Sequence, residues 1–187
     1  MRHQQAEESY RRRLRADQVD LPDLIAGMKL YPDSAGLTAE ALANQGKSAV
    51  EALPALRQAL EDSLQRTMTL NLPVSELSAA SRTRDTLADA IQRISPDQPK
   101  AYFTTRDLGA VFAAFKSYSD QADQGQLRQI MTVVHPIMKE GPRIQQGLSP
   151  DQMRRLLQAV QSIDADAADV MARQVRRIDA HFVAGHP

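Results

Sequence analysis

The chain contains no cysteine and no tryptophan, few aromatic residues, no surplus charge of either sign and no long apolar run. Without cysteine there is no disulfide, no thiolate nucleophile and no Cys-ligated zinc, and the redox compartment stays open. Lys+Arg and Asp+Glu are equal at 23 each. No net field therefore draws the whole molecule to nucleic acid or to an anionic membrane, and binding to a polyanion would have to come from a local patch. No window approaches the ~18 consecutive apolar residues of a spanning helix, so a soluble chain without a membrane span is expected. The opening, Met1 to Glu8, carries two acids and no apolar run behind its arginines, unlike a secretory signal. As written, the sequence predicts a cytoplasmic location; a periplasmic or secreted one requires a signal removed before residue 1. Aromatics at 4% with abundant Ala, Leu and Gln favour helices packed through small and aliphatic side chains. Arginine far exceeds lysine, a compositional hint of a GC-rich bacterial coding sequence.

What the chain does contain is a series of helix starts. In Leu148-Ser149-Pro150-Asp151-Gln152-Met153, Ser149 suits the cap and Pro150 the first helical position. Gln152 completes a capping box, and Leu148 staples onto Met153. Val19-Asp20-Leu21-Pro22-Asp23-Leu24 repeats that logic and predicts a short helix to about Leu30. Another helix starts near Leu37 and is interrupted at Asn44-Gln45-Gly46. Val50, Leu53, Leu56, Leu60, Leu64 and Met68 recur at steps of three and four, with Pro54 kinking that helix or marking its true start.

A helix from Val74 through Leu77, Leu87, Ile91 and Ile94 has a polar middle, Ser81 to Asp85, expected to face water. The segment from Thr105 through Val111, Phe112 and Phe115 is the most apolar and is placed at the centre of the core. A stripe from Leu127 to Met138 follows. The stretch from Pro150 to Phe182 fits one helix longer than about 25 residues or, the favoured reading, two broken near Ser162 to Asp166, with Ser162 or Asp164 capping the second. No strand-period run stands out. The expected fold is all-α: a single-domain bundle of about six to eight helices over residues 18–187, without a substantial β-sheet, preceded by a peripheral arm or helix over 1–17. At 187 residues such a domain buries roughly 70% of the surface its unfolded chain exposes and needs no staple.

The chemistry-bearing groups do not assemble into a known motif. Gly46-Lys47-Ser48 is the tail of a phosphate loop, but Ala41 stands where that loop needs glycine and no strand leads into it. Asp164, Asp166 and Asp169 fail as a calcium loop, which would need glycine at 169 and a carboxylate at 175, where Val175 stands. The four histidines, His3, His135, His181 and His186, include no pair at metal-ligand spacing. No metal and no cofactor are expected. His135, beside the stripe of Val134 and Met138, is the one candidate general base, the core histidine being the plainer reading. Ser-Pro-Asp-Gln occurs at 95–98 and again at 149–152, but the apolar pattern does not follow it, so it reads as two independent uses of capping chemistry.

Basic clusters stand at Arg11-Arg12-Arg13 with Arg15, at Arg154-Arg155, and at Arg173 with Arg176-Arg177. Part of the last is expected to pair with Asp169, four residues before Arg173. No helix-turn-helix signature or stacking aromatics accompany the arginines, which disfavours nucleic acid as partner. Met131, Met138, Met153 and Met171 fit either core filling or a groove for an amphipathic partner segment. Many amphipathic helices without a catalytic constellation point to a non-enzymatic bacterial protein working through protein–protein contact, as adaptor, chaperone, secretion-system or assembly component, self-association included. The alternatives are a nucleic-acid-associated protein using its arginines and an enzyme built around His135. The expected contact residues are Met171, Arg173, Arg176, Arg177 and Phe182, with Tyr10, Arg12 and Arg13 as a second contact.

Overall fold

A computed structural model describes residues 2–69, 73–120, 123–139 and 147–184. Among them there are α-helices and short 3₁₀ turns, and a single isolated β-bridge in place of any sheet. The protein is all-α. Its helices fall into two compact units, Met1–Gln98 and Pro99–Pro187.

The first unit contains α1 (Arg2–Arg15), α2 (Leu21–Leu30), α3 (Ala35–Gln45), α4 (Leu53–Thr69) and α5 (Val74–Ile94). Helix α2 begins where its sequence dictates: Asp20 is extended and its carboxylate accepts the Asp23 amide, satisfying one of the donors a helix start leaves open. Helix α3 stops at Gly46, whose φ of 58° is one that side chains disfavour. A 3₁₀ stretch, Gly46–Ala52, follows. Pro54 then stands in the first turn of α4, so it marks a start. Because the chain is wound differently before Leu53, Val50 leaves the stripe and is half exposed.

Helix α5 packs on both α3 and α4. That double contact corrects the expectation that its polar middle faces water. Leu77, Ser81, Arg84, Ala88 and Ile91 follow one another at steps of four and three, so Ser81 and Arg84 lie on the apolar stripe, and both are buried, Arg84 completely. Only Arg82 of the five is exposed. The small residues Ala39, Ala43, Ala49, Ala52 and Ala55 line the same interior and let backbones approach closely.

The segment expected as a peripheral arm or helix forms α1, which is docked. Tyr10 is buried over Gly27, where a Cβ would come within 2.1 Å of the phenol oxygen. The Thr38 hydroxyl donates to the Ser34 carbonyl (3.0 Å) and so receives the Tyr10 hydroxyl (3.2 Å). Beside it, Arg11 Nε donates to Ser34 Oγ (2.8 Å), Ser34 donates to Glu7 (2.7 Å), and Arg11 returns to Glu7 (3.0 Å).

The second unit contains α6 (Thr105–Ser119), α7 (Gln124–Lys139), α8 (Pro150–Gln161) and α9 (Ala165–Ile178). Helix α6 packs on α9, and α8 on both α9 and α7. Leu108, Val111 and Phe115 of α6 are buried with Met153, Leu156, Val160, Met171 and Val175, which puts α6 in the core of this unit; over the whole chain α2 and α3 are more apolar than α6. Two helices start side by side: Phe103 and Leu148 exchange backbone hydrogen bonds at 2.8 and 2.9 Å, and the residue after each is a cap. Thr104 and Asp107 form one capping box, Ser149 and Gln152 the other. Gly147 is required at this junction, because a Cβ there would meet the Phe103 carbonyl at 2.1 Å. The break between α8 and α9 falls where the sequence places it, with Asp164 accepting the Ala167 amide (3.0 Å).

Candidate functional site

The expected contact residues separate by burial. Met171 is fully buried and Phe182 nearly so, both in the core of the second unit. Phe182 meets Phe103 edge to face at 5.5 Å, and the Arg154 guanidinium lies 5.6 Å from its ring centre. Arg154 also donates to the Val183 carbonyl (3.1 Å) and pairs with Asp151. Its role is to fasten the segment after α9. Tyr10 is enclosed in the first unit, and burial pushes its phenol above the ordinary value. Tyr10, Met171 and Phe182 are closed inside their units and serve packing, whereas Arg12, Arg13, Arg173, Arg176 and Arg177 are exposed.

Those arginines differ in how far their own chain already engages them. Arg13 donates to Asp23 at 2.6 Å and to the Gln18 carbonyl at 3.5 Å, holding the turn between α1 and α2. Arg12 is exposed beside Glu8, 3.8 Å away. In contrast, Arg173, Arg176 and Arg177 are all exposed on α9, and among the described residues none has an ion-pair or hydrogen-bond partner. The expected pair between Asp169 and Arg173 is not formed. Both side chains stand apart in solvent.

Helix geometry explains how this face arises. Ala167, Ala168, Met171, Ala172 and Val175 point into the core. At 100° per residue the outward half of α9 carries Asp166, Asp169, Arg173, Arg176 and Arg177, the first four spaced three, four and three. All five are exposed. The acids stand toward the N-terminus and the bases toward the C-terminus, an order the helix dipole favours. In sequence Asp166 stands out only beside Asp164 and Asp169 as an acidic cluster; its place on the arginine face becomes visible once the core side of α9 is known.

Other polar groups are internal. The Lys100 ammonium lies 2.6 Å from Asp107, both largely buried, and Asp107 also receives the Thr104 amide (2.9 Å). The buried Asp179 carboxylate accepts the backbone amides of Lys100 (3.1 Å) and His181 (3.0 Å). Asp164 accepts the Tyr118 hydroxyl at 2.8 Å. The amide of Ala167, with Tyr118 assisting, holds the Asp164 carboxyl below its ordinary value despite burial, while the same contact raises Tyr118.

The His181 side chain is exposed and meets no carboxylate among the described residues. The side chains of His135 and Met138, and the whole of His186, lie outside what the structure describes. Of the remaining methionines, Met153 and Met171 are core residues, whereas Met131 is half exposed. Among the described residues no group of three potential metal ligands occurs, and no helix is long and apolar enough to cross a membrane. No protein-family model, curated protein or solved structure matches the chain.

Proposed function

We propose that this is a non-enzymatic protein that works by protein–protein contact, as an adaptor, chaperone or assembly component of a bacterial cell, and that α9 is its contact element. The observation that carries the reading is the exposed set Arg173, Arg176 and Arg177, without an ion-pair partner among the described residues, on a helix whose other side is locked into a core. Elsewhere Arg11, Arg13 and Arg154 are engaged within the fold. A packed helix presenting three exposed guanidinium groups is suited to an acidic protein surface, because each guanidinium offers a planar fork of donors to a carboxylate. The reading does not extend to nucleic acid: Arg11 and Arg13 of α1 and Arg154 of α8 are engaged within the fold, and a handful of phosphate contacts supports only weak binding.

The test is site-specific photo-crosslinking. A photoreactive residue replaces the exposed Ala165, beside the face, and in a control the exposed Gln126 on α7. Crosslinks to protein should form from position 165, fade at high salt and disappear when Arg173, Arg176 and Arg177 are changed together to Glu. Crosslinks unaffected by the triple change, or formed only to nucleic acid, overturn the proposal.

A further inference from the structure

The outer face of α9 is complementary to itself. Along it the charges run Asp166, Asp169, Arg173, Arg176, two acids followed by two bases at steps of three, four and three. That spacing is the one that keeps side chains on a single seam between two packed helices. Reversed end for end, the seam reads base, base, acid, acid. A second α9 laid antiparallel, with a two-fold axis level with residue 171, therefore sets Asp166 opposite Arg176 of the second copy and Asp169 opposite its Arg173. The same two pairs repeat on the other side of the axis. This is the relation a two-fold interface demands, in which a surface patch meets its own copy.

Resting on the reading of α9 as a contact element, we infer that the partner which fits this face is a second copy of the chain, joined antiparallel through Asp166, Asp169, Arg173 and Arg176. Two further observations favour that occupant over an unrelated acidic protein. The face is not uniformly basic: a partner bearing only carboxylates would meet Asp166 and Asp169 as like charges, which costs affinity. And Asp169 does not neutralise Arg173 within its own helix although the spacing allows it, so both are available across an interface. Arg177 lies to the side of the seam and completes the positive end. The seam from Asp166 to Arg176 is about 15 Å long and is lined by charges, so the contact area falls in the range of weak and transient interfaces. The dimer forms and dissociates with concentration and ionic strength.

Sedimentation velocity over a concentration series tests this, at about 10 mM salt, where charges act over tens of ångströms, and again at about 1 M, where they are screened. The wild-type chain should dimerise in the first condition and revert to monomer in the second. Changing both acids, D166R/D169R, or both bases, R173D/R176D, turns the seam into one sign and should weaken self-association at least about tenfold. Mixed in equal amounts, the all-basic and all-acidic variants should recover a dimer containing one of each. D169R and R173D alone, mid-helix and away from the dipole ends, give the same readout should the double changes disturb the fold. A wild-type chain that is monomeric throughout at low salt, or variants whose mixture fails to associate, overturns the inference. If the chain is monomeric yet still crosslinks from position 165 to another protein through its arginines, the dimer is excluded and the wider reading of α9 stands.

Discussion

Gly27 and Tyr10 show how two residues seventeen positions apart decide whether the first helix belongs to the fold. The phenol crosses the glycine so closely that a methyl group there would overlap the ring. Gly27→Ala is therefore expected to destabilise the protein by about 1–3 kcal/mol, the usual cost of forcing an extra carbon into a packed site. In a Tyr10→Ala background the same change should cost almost nothing, because the clash is gone. Denaturant unfolding of the four proteins of this cycle measures the coupling; additive losses would mean that Tyr10 does not lie on Gly27 in solution. Asp164 makes a pH prediction at the same scale. Its folded carboxyl titrates below the ordinary value of 3.8, chiefly because the Ala167 amide donates to it. The stability this provides is fully present above pH 3.8 and is lost as the pH falls from there through the lower folded value. Asp164→Asn keeps a capping oxygen and removes the charge, so the acid end of its stability profile should be flatter than wild type. An unchanged acid slope would place the effect elsewhere.

Helices are the scale at which the two copies of Ser-Pro-Asp-Gln part company. Ser149 caps α8 in a reciprocal box with Gln152, whereas Ser95 closes α5 through its backbone, its amide donating to the Ile91 carbonyl. Ser149→Ala should cost about 1 kcal/mol, and Ser95→Ala less than about 0.5 kcal/mol, by thermal unfolding of the two variants. Equal losses would show that the capping box is not formed. The contrast also shows why so much of the fold was legible: caps, glycine stops and proline starts act within one turn of helix, so Asp20, Gly46, Pro54, Ser149 and Asp164 announce their roles in sequence. The burial of Arg84 was not legible, because a polar residue on an apolar stripe looks the same as one facing water until a second helix covers it. The bridge between Phe103 and Leu148 was hidden for another reason, joining residues too far apart for any local pattern to link. Of the candidate contact face, the arginines of α9 were readable as a cluster. That Met171 and Phe182 belong to the core required knowing which side of α9 faces inward.

Across the whole molecule, equal numbers of positive and negative side chains leave no long-range field to gather a polyanion, so any nucleic-acid binding must be carried by the local charges that the fold leaves over. On the second unit's helix α9 these are three arginines. Each phosphate neutralised contributes about −0.9 to the slope of log K against log salt on duplex DNA. Three contacts therefore give a slope near −2.7, a loss of only about 40-fold between 50 and 200 mM salt, against the 10³–10⁵-fold loss typical of proteins that make six to ten phosphate contacts. Fluorescence anisotropy of a labelled duplex titrated at several salt concentrations measures this directly. The expected result is binding that is already marginal at low salt, with that shallow slope, and abolished by changing Arg173, Arg176 and Arg177 to Glu. A slope steeper than about −6 would mean that basic residues beyond α9 reach the phosphates together, and the protein would then have to be read as a nucleic-acid binder, with the acids of α9 reduced to partners of its helix dipole.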